Sequence, residues 1–384
     1  MARIPTLSLL VLATAAAVQP QSGRRVQSEP TPTPSPAAEQ DSLGYSESRP
    51  ARQRGSRPVQ LLPAKSVEPS LDKGDGSGRI VGDNEDTIKV ETDLITIPVS
   101  VFDRDGLYIP NLVRGDFKIF EDGVQQEIAY FGTSDKPFTV VLLLDTSLST
   151  NYKIEEIRQA AIAFVDQLKS EDAVMVIEFD GNVNVLTEVT RERPKIFKAI
   201  GKADFGYGTS LYDAVDFSLR RRLNKIEGRK AIVLFTDGVD TTSRKAGFDS
   251  TLNLAEEADA LVFPIYYNTL DWNRGGSSPT FPGLLNPIGT RPEDYELGRK
   301  YLTELADYTG GRVFKPEAVP GGLTAAFKGI AEELRRQYNI GYVPANVGTP
   351  GQRKEIRVRV NRPRLVLRAR DSYVVGAAKK MPVK

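Results

Sequence analysis

The chain of 384 residues contains neither cysteine nor histidine. Without thiols there can be no disulfide, no thiol redox chemistry and no cysteine nucleophile. Without imidazole there can be no Ser-His-Asp triad and no histidine-ligated zinc or iron. Stability must come from packed cores, and 384 residues leave room for two domains. A surplus of one charge sign is lacking too: 51 Lys and Arg stand against 50 Asp and Glu, a net charge of +1. Bulk charge therefore calls for neither a nucleic acid nor a membrane surface as partner. Long apolar runs are confined to residues 5–18, which are too few to span a bilayer comfortably.

That N-terminal run has another reading. Arg3 supplies a positive start, and Ala13-Thr14-Ala15 and Ala15-Ala16-Ala17 both offer small-x-small cleavage patterns. Residues 1–18 are expected to be a signal peptide, which makes the protein exported, periplasmic or extracellular, with no transmembrane segment. Residues 19–82 are rich in Pro, Ser and Arg, with Pro30, Pro32, Pro34 and Pro36 at alternate positions. Their apolar content is too low to offset the entropy of ordering, so a disordered linker is expected.

Two β segments bracket the rest. In residues 83–136, Ile95, Ile97, Val99 and Val101 alternate as a half-buried strand should. Runs 117–121 and 124–131 flank Glu121-Asp122-Gly123, a strong hairpin signal. In residues 338–375, Ile356, Val358 and Val360 alternate again, followed by Leu365, Leu367 and Ala369, with 376–384 left as a tail. Neither segment has strands enough to bury its own apolar face. One small β-sandwich built from both ends of the chain is the economical expectation. Arg357, Arg359, Arg368 and Arg370 are expected on its solvated outer face.

Between them, residues 137–337 follow a βα pattern. Apolar strand runs stand at 140–144, 173–179, 231–235, 261–267 and 312–314, with an antiparallel edge strand at 183–189. Helical spacing appears at 154–168, 211–223, 251–259, 295–307 and 323–338. The expected fold is α/β: a doubly wound, mostly parallel sheet with helices on both faces.

The chemistry sits at the ends of these strands, where open α/β sheets bind ligands. The run 140–144 stops on Asp145, followed by Ser147 and Ser149. Gly206-Tyr207-Gly208 leads to Thr209, and the run 231–235 stops on Thr236-Asp237-Gly238. Two carboxylates and three hydroxyls suit a hard cation such as Mg²⁺, which prefers six oxygens and keeps several waters. Each motif alone would be an ordinary helix cap or turn. In this order and context they resemble the von Willebrand factor type A domain and its metal-ion-dependent adhesion site. The resemblance covers about residues 137–337; a looser one, extending over 88–373, is to the secreted acidobacterial proteins with a VWFA-related domain.

The resemblance implies a metal site of Asp145, Ser147, Ser149, Thr209 and Asp237 holding Mg²⁺, Mn²⁺ or Ca²⁺. It also implies that a protein ligand's Asp or Glu completes the shell, so that the chain is an exported adhesion or scaffold module. A structural envelope protein with a metal-stabilised domain and no acidic-ligand binding is the alternative. A metal-assisted hydrolase ranks lower, because Ser147 has no histidine to deprotonate it and two carboxylates are few for two-metal chemistry. The chain is therefore expected not to be an enzyme. Residues 270–294, long for a βα connection, carry Trp272 and Phe281, which are expected to contact the partner.

Overall fold

The computed structural model describes residues 44–49, 94–133, 136–147, 154–267, 291–317, 319 and 321–376. Among the described residues the first element is a two-residue strand, β1 (Ser46–Glu47). It continues with β2 (Ile95–Phe102), β3 (Phe117–Glu121), β4 (Val124–Gln126) and β5 (Ile128–Thr133). The βα segment runs β6 (Phe138–Asp145), α1 (Ile154–Asp166), β7 (Ala173–Phe179), β8 (Val183–Thr190), α2 (Arg193–Ile200) and α3 (Leu211–Asp216). It goes on through β9 (Arg229–Thr236), α4 (Phe248–Glu257), β10 (Leu261–Tyr266), α5 (Pro292–Thr309) and α6 (Gly322–Arg335). The chain then returns to strands with β11 (Tyr338–Tyr342), β12 (Arg353–Val360), β13 (Val366–Arg368) and β14 (Ser372–Val374).

The central sheet has the order β10-β9-β6-β7-β8, parallel except for β8 at one edge. Strand alternation explains why helices cover both faces. Val140, Leu142 and Leu144 of β6 point into a core with Ile157, Phe164, Ile196, Phe327 and Ile330 from α1, α2 and α6. Val141 and Leu143 point the other way, against Leu211, Val215, Leu252, Tyr301 and Leu305 from α3, α4 and α5. A strand buried on both faces has to read as a continuous apolar run, and β6 does. The expected strand at 312–314 is reduced to a single bridge, Phe314 to Ile265. Helix α2 was not expected: its eight residues carry only Ile196, Ala199 and Ile200 as buried positions, too short a pattern to stand out.

The remaining strands form the sandwich. One sheet has the order β1-β12-β3-β4, with β14 also on β12; the other is β13-β2-β11-β5. Ile97, Val99 and Val101 face Ile119, Ile356, Val358 and Val360 across one core. Each sheet mixes strands from both sides of the inserted α/β unit, as the shortage of strands required. Glu121, though buried, is satisfied by the Tyr342 and Tyr373 hydroxyls, which donate at 2.7 and 2.9 Å.

Three sequence expectations need correction here. The run 124–131 is not one strand: β4 pairs with β3 and β5 with β11, so the chain changes sheets at Glu127. The linker is not structureless throughout, because Ser46 and Glu47 pair with Val360 and Arg359 of β12. The arginines of the last strands are not a solvated face. Arg357 and Arg359 pair with Glu47, Arg368 with Glu333 of α6, and Arg370 donates to the carbonyls of Glu256 and Ala258.

Arg368 and Arg370, together with Arg353, fasten the sandwich to the α/β unit. Glu256, 3% exposed on α4, accepts from Arg353 Nε and from Ser372 Oγ, both at 2.5 Å. Removing one partner from a buried ion pair leaves the other uncompensated. Glu256→Ala is therefore expected to lower stability by about 3–5 kcal/mol, read as a fall in the urea midpoint.

Candidate metal centre

Strand β6 leads through α1 to β7 on one side, while its other neighbour, β9, leads on to β10. Strand order therefore reverses between β6 and β9, and crevices outside the carboxyl ends of such strands are where ligands bind. β6 ends on Asp145 and β9 on Thr236, with Asp237 next. The parallel register sets Leu144 beside Phe235, so that the two carboxyl ends finish together. Asp145, Ser147, Thr209 and Asp237 are all buried.

Their hydrogen bonds fix each carboxylate in place. Thr236 Oγ1 donates to Asp145 Oδ2 at 2.6 Å, and the Ser147 N–H donates to Asp145 Oδ1 at 3.0 Å. The Gly238 N–H donates to Thr236 Oγ1, and the Val239 N–H to Asp237 Oδ1, both at 3.0 Å. The glycine loop is drawn in by a bridge between Ser147 and Gly206, whose N–H donates to the Thr146 carbonyl at 2.9 Å. Thr209 is held by its backbone: its N–H donates to Thr241 Oγ1 at 2.8 Å, and its carbonyl accepts the Thr241 and Thr242 N–H groups. A Cβ at position 206 would lie 1.6 Å from Asp180 Oδ2, so a larger residue there would require the Asp180 side chain to move.

The electrostatics follow from this burial. Asp145 is pushed up to about 7, first by loss of water and then by the neighbouring charge of Asp237. Its bonds from Ser147 and Thr236 oppose that rise without cancelling it. A group whose folded pKa is raised stabilises the fold fully below its unfolded value. That contribution is lost as pH rises through the folded value. Stability of the metal-free protein should therefore fall between about pH 4 and about pH 7. Thermal melts in EDTA should show the fall, and Asp145→Asn should flatten it.

The donors present fit a hard divalent cation: they are all oxygens, two are carboxylates, and the carboxylates share one crevice. Among the described residues there is no cluster of three or more His, Cys, Asp or Glu, so hydroxyls would have to complete any protein-derived shell. Of the expected site residues, Asp145 lies beside Ser147 and Asp237, while Thr209 is buried on the loop whose Gly206 bridges Ser147. Ser149, Trp272 and Phe281 lie outside the described residues.

The roles of several supporting residues escaped the sequence reading. Thr236, Thr241 and Thr242 act through bonds made between loops, which no local pattern reports. Tyr207 and Phe205 stand exposed on the glycine loop. Gly238 and Gly298 touch backbone to backbone, and a Cβ on Gly298 would meet the Gly238 carbonyl carbon at 2.6 Å. Helix α5 thus packs directly under the turn that carries Asp237. Gly298→Ala should cost about 1–3 kcal/mol through overpacking, measurable by chemical unfolding, and should weaken Mg²⁺ binding by displacing that turn.

Residues 140–239 match the family model of the von Willebrand factor type A domain. The matched stretch holds Asp145, Ser147, Thr209 and Asp237. Among solved structures, a von Willebrand factor type A protein from Catenulispora acidiphila is similar over 75% of this chain and 73% of its own, at 14% identity and a TM-score of 0.41. The von Willebrand factor domain of the type V pili tip protein Mfa5 from Porphyromonas gingivalis is similar over 52% of this chain and 95% of its own, at 14% identity and a TM-score of 0.40. The conserved hypothetical protein BatB from Bacteroides thetaiotaomicron is similar over 52% of this chain and all of its own, at 18% identity and a TM-score of 0.39. No curated protein matches the chain.

Proposed function

We infer that this chain, which carries a von Willebrand factor type A domain, is an exported protein-binding module that grips an acidic residue of its partner through a divalent cation. The observation that carries the reading is the pairing of two buried carboxylates, Asp145 and Asp237, at adjacent parallel strand ends. Two carboxylates neutralise Mg²⁺ or Mn²⁺ formally. Ser147, Ser149 and Thr209 add neutral oxygens, leaving the metal enough Lewis acidity to take a further carboxylate. Asp145 and Asp237 would hold the ion directly or through water. When bound, the ion supplies a positive charge at which a partner's Asp or Glu can dock.

Binding is favoured over catalysis by what surrounds the site. The chain has no histidine or cysteine to act as base or nucleophile, and Ser147 is held by strand bridging to Gly206. Residues 1–18 support export as a signal peptide, and no helix among the described residues is long and apolar enough to cross a membrane. Exposed Tyr207 and Phe205 would form part of the rim that a protein ligand contacts, with Trp272 and Phe281 from the segment after β10 completing it.

Calorimetry with Mg²⁺ should show one site per chain in the wild type and none in the Asp145→Ala, Asp237→Ala double variant. Equal heats from the two would refute the metal site. A pull-down from envelope extract should recover a partner with Mg²⁺ and lose it with EDTA or with Asp145→Ala. Capture indifferent to both would favour the structural alternative.

A further inference from the structure

Strand β12 pairs with β3 along one side and offers the other side to two short strands placed end to end. β14 takes Arg353, Lys354 and Glu355; β1 takes Arg359 and Val360. β1 is recognised by its side chains as well as its backbone. The Ser48 N–H donates to the Val358 carbonyl at 2.7 Å, and Ser48 Oγ accepts the Val358 N–H at 2.9 Å. Ser46 Oγ donates to the Arg362 carbonyl at 2.7 Å and accepts the Leu365 N–H at 2.8 Å. Glu47 Oε1 accepts from two nitrogens of Arg359, at 3.1 and 2.7 Å, and Arg357 lies 3.6 Å from Oε2. The Arg359 guanidinium covers the ring of Tyr45 at 3.9 Å. Ser46 and Ser48 are 5% and 2% exposed. Just beyond, Arg49 pairs with Asp307 of α5 at 3.0 Å.

We propose that this half of the β12 edge is a strand-docking site, and that it exchanges its own segment 45–48 for the same segment of a second copy of the chain. The complementarity points to that partner. The edge reads a Ser-Glu-Ser alternation, and every copy carries both the edge and the segment that fits it. In strand addition the main chain supplies affinity and alternate side chains supply selectivity. The β1 ladder is two residues long, so the contact is small enough to open. A vacated edge is a template for another strand. Residues 50–93 join the segment to β2, and a connection of that length spans at most about 145 Å, far enough to reach a neighbour. Reciprocal exchange closes a two-fold pair and leaves neither edge bare. The exchanged segment would bring Arg49 of one copy to Asp307 of the other, so that the contact reaches the α/β unit. The proposal does not depend on the metal site.

The absence of cysteine makes the test direct. Glu47 and Arg359 are register partners, so full-length chains carrying only Glu47→Cys or only Arg359→Cys are mixed and oxidised. Disulfide-linked dimer should form at least fivefold above either variant alone. The double variant Glu47→Cys, Arg359→Cys shows whether the segment occupies this edge at all. If it closes only an internal bridge while the mixture gives no excess dimer, docking is strictly within one chain and the proposal fails. If it closes no bridge of either kind, the edge is not the site and the proposal fails as well. Light scattering on the otherwise wild-type chain provides a readout that keeps Glu47 intact. Ser48→Pro, which removes the N–H that bonds Val358, should lower the dimer fraction at least threefold. An unchanged fraction would overturn the proposal.

Discussion

A carboxylate taken out of water loses several kcal/mol of hydration unless something nearby restores it. Asp145 and Asp237 incur that loss side by side, and each raises the other's cost. Much of the surrounding structure bears on this problem. Thr236 and the Ser147 amide hold Asp145, the Val239 amide holds Asp237, and the glycine loop is bridged to Ser147. Beneath them, the Gly238–Gly298 contact lets α5 come close enough to support the turn. Two buried carboxylates this close favour a positive charge beside them, and that proximity is the physical basis for reading the crevice as a cation site.

The second organising constraint is the shortage of strands at either end of the chain. Residues 94–133 and 338–376 each have apolar faces too large to leave open and too few strands to cover them. The chain resolves this by interleaving. β11 lies between β2 and β5, and β12 lies between β3 and the pair β1 and β14. The cost is that arginines on the late strands cannot all remain in solvent. Glu256 and Glu333 on the α/β unit take up Arg353 and Arg368, turning what would be a charged surface into an interface.

How much of this was legible in the sequence depended on how local the signal was. β6, β7 and β9 are buried on both faces, so their apolar runs announce them, and the residues that stop them carry the carboxylates. The antiparallel edge of β8 follows from the turn at Asp180-Gly181-Asn182. The split of β4 from β5 was hidden because both halves alternate alike, and only their partners differ. β1 was invisible to hydropathy: it is held by two serines and a glutamate, polar residues that mark a linker until an edge strand accepts them. The arginines were misplaced because their partners are distant in sequence: Glu47 of β1 for Arg357 and Arg359, Glu333 of α6 for Arg368, and the carbonyls of Glu256 and Ala258 for Arg370.

Thr133 ends β5 and is the register partner of Tyr338, which begins β11. The α/β unit therefore leaves and rejoins the sandwich at one end of a single strand pair. A pull applied through the crevice of Asp145 and Asp237 would reach the sandwich at that point and load the β5–β11 ladder bond by bond, as a zipper opens. Ladders loaded this way yield at lower force than ladders sheared along their length. The contacts of Glu256 and Glu333 with Arg353 and Arg368 lie across the same junction. Such contacts would act as side straps that share the tension with the ladder.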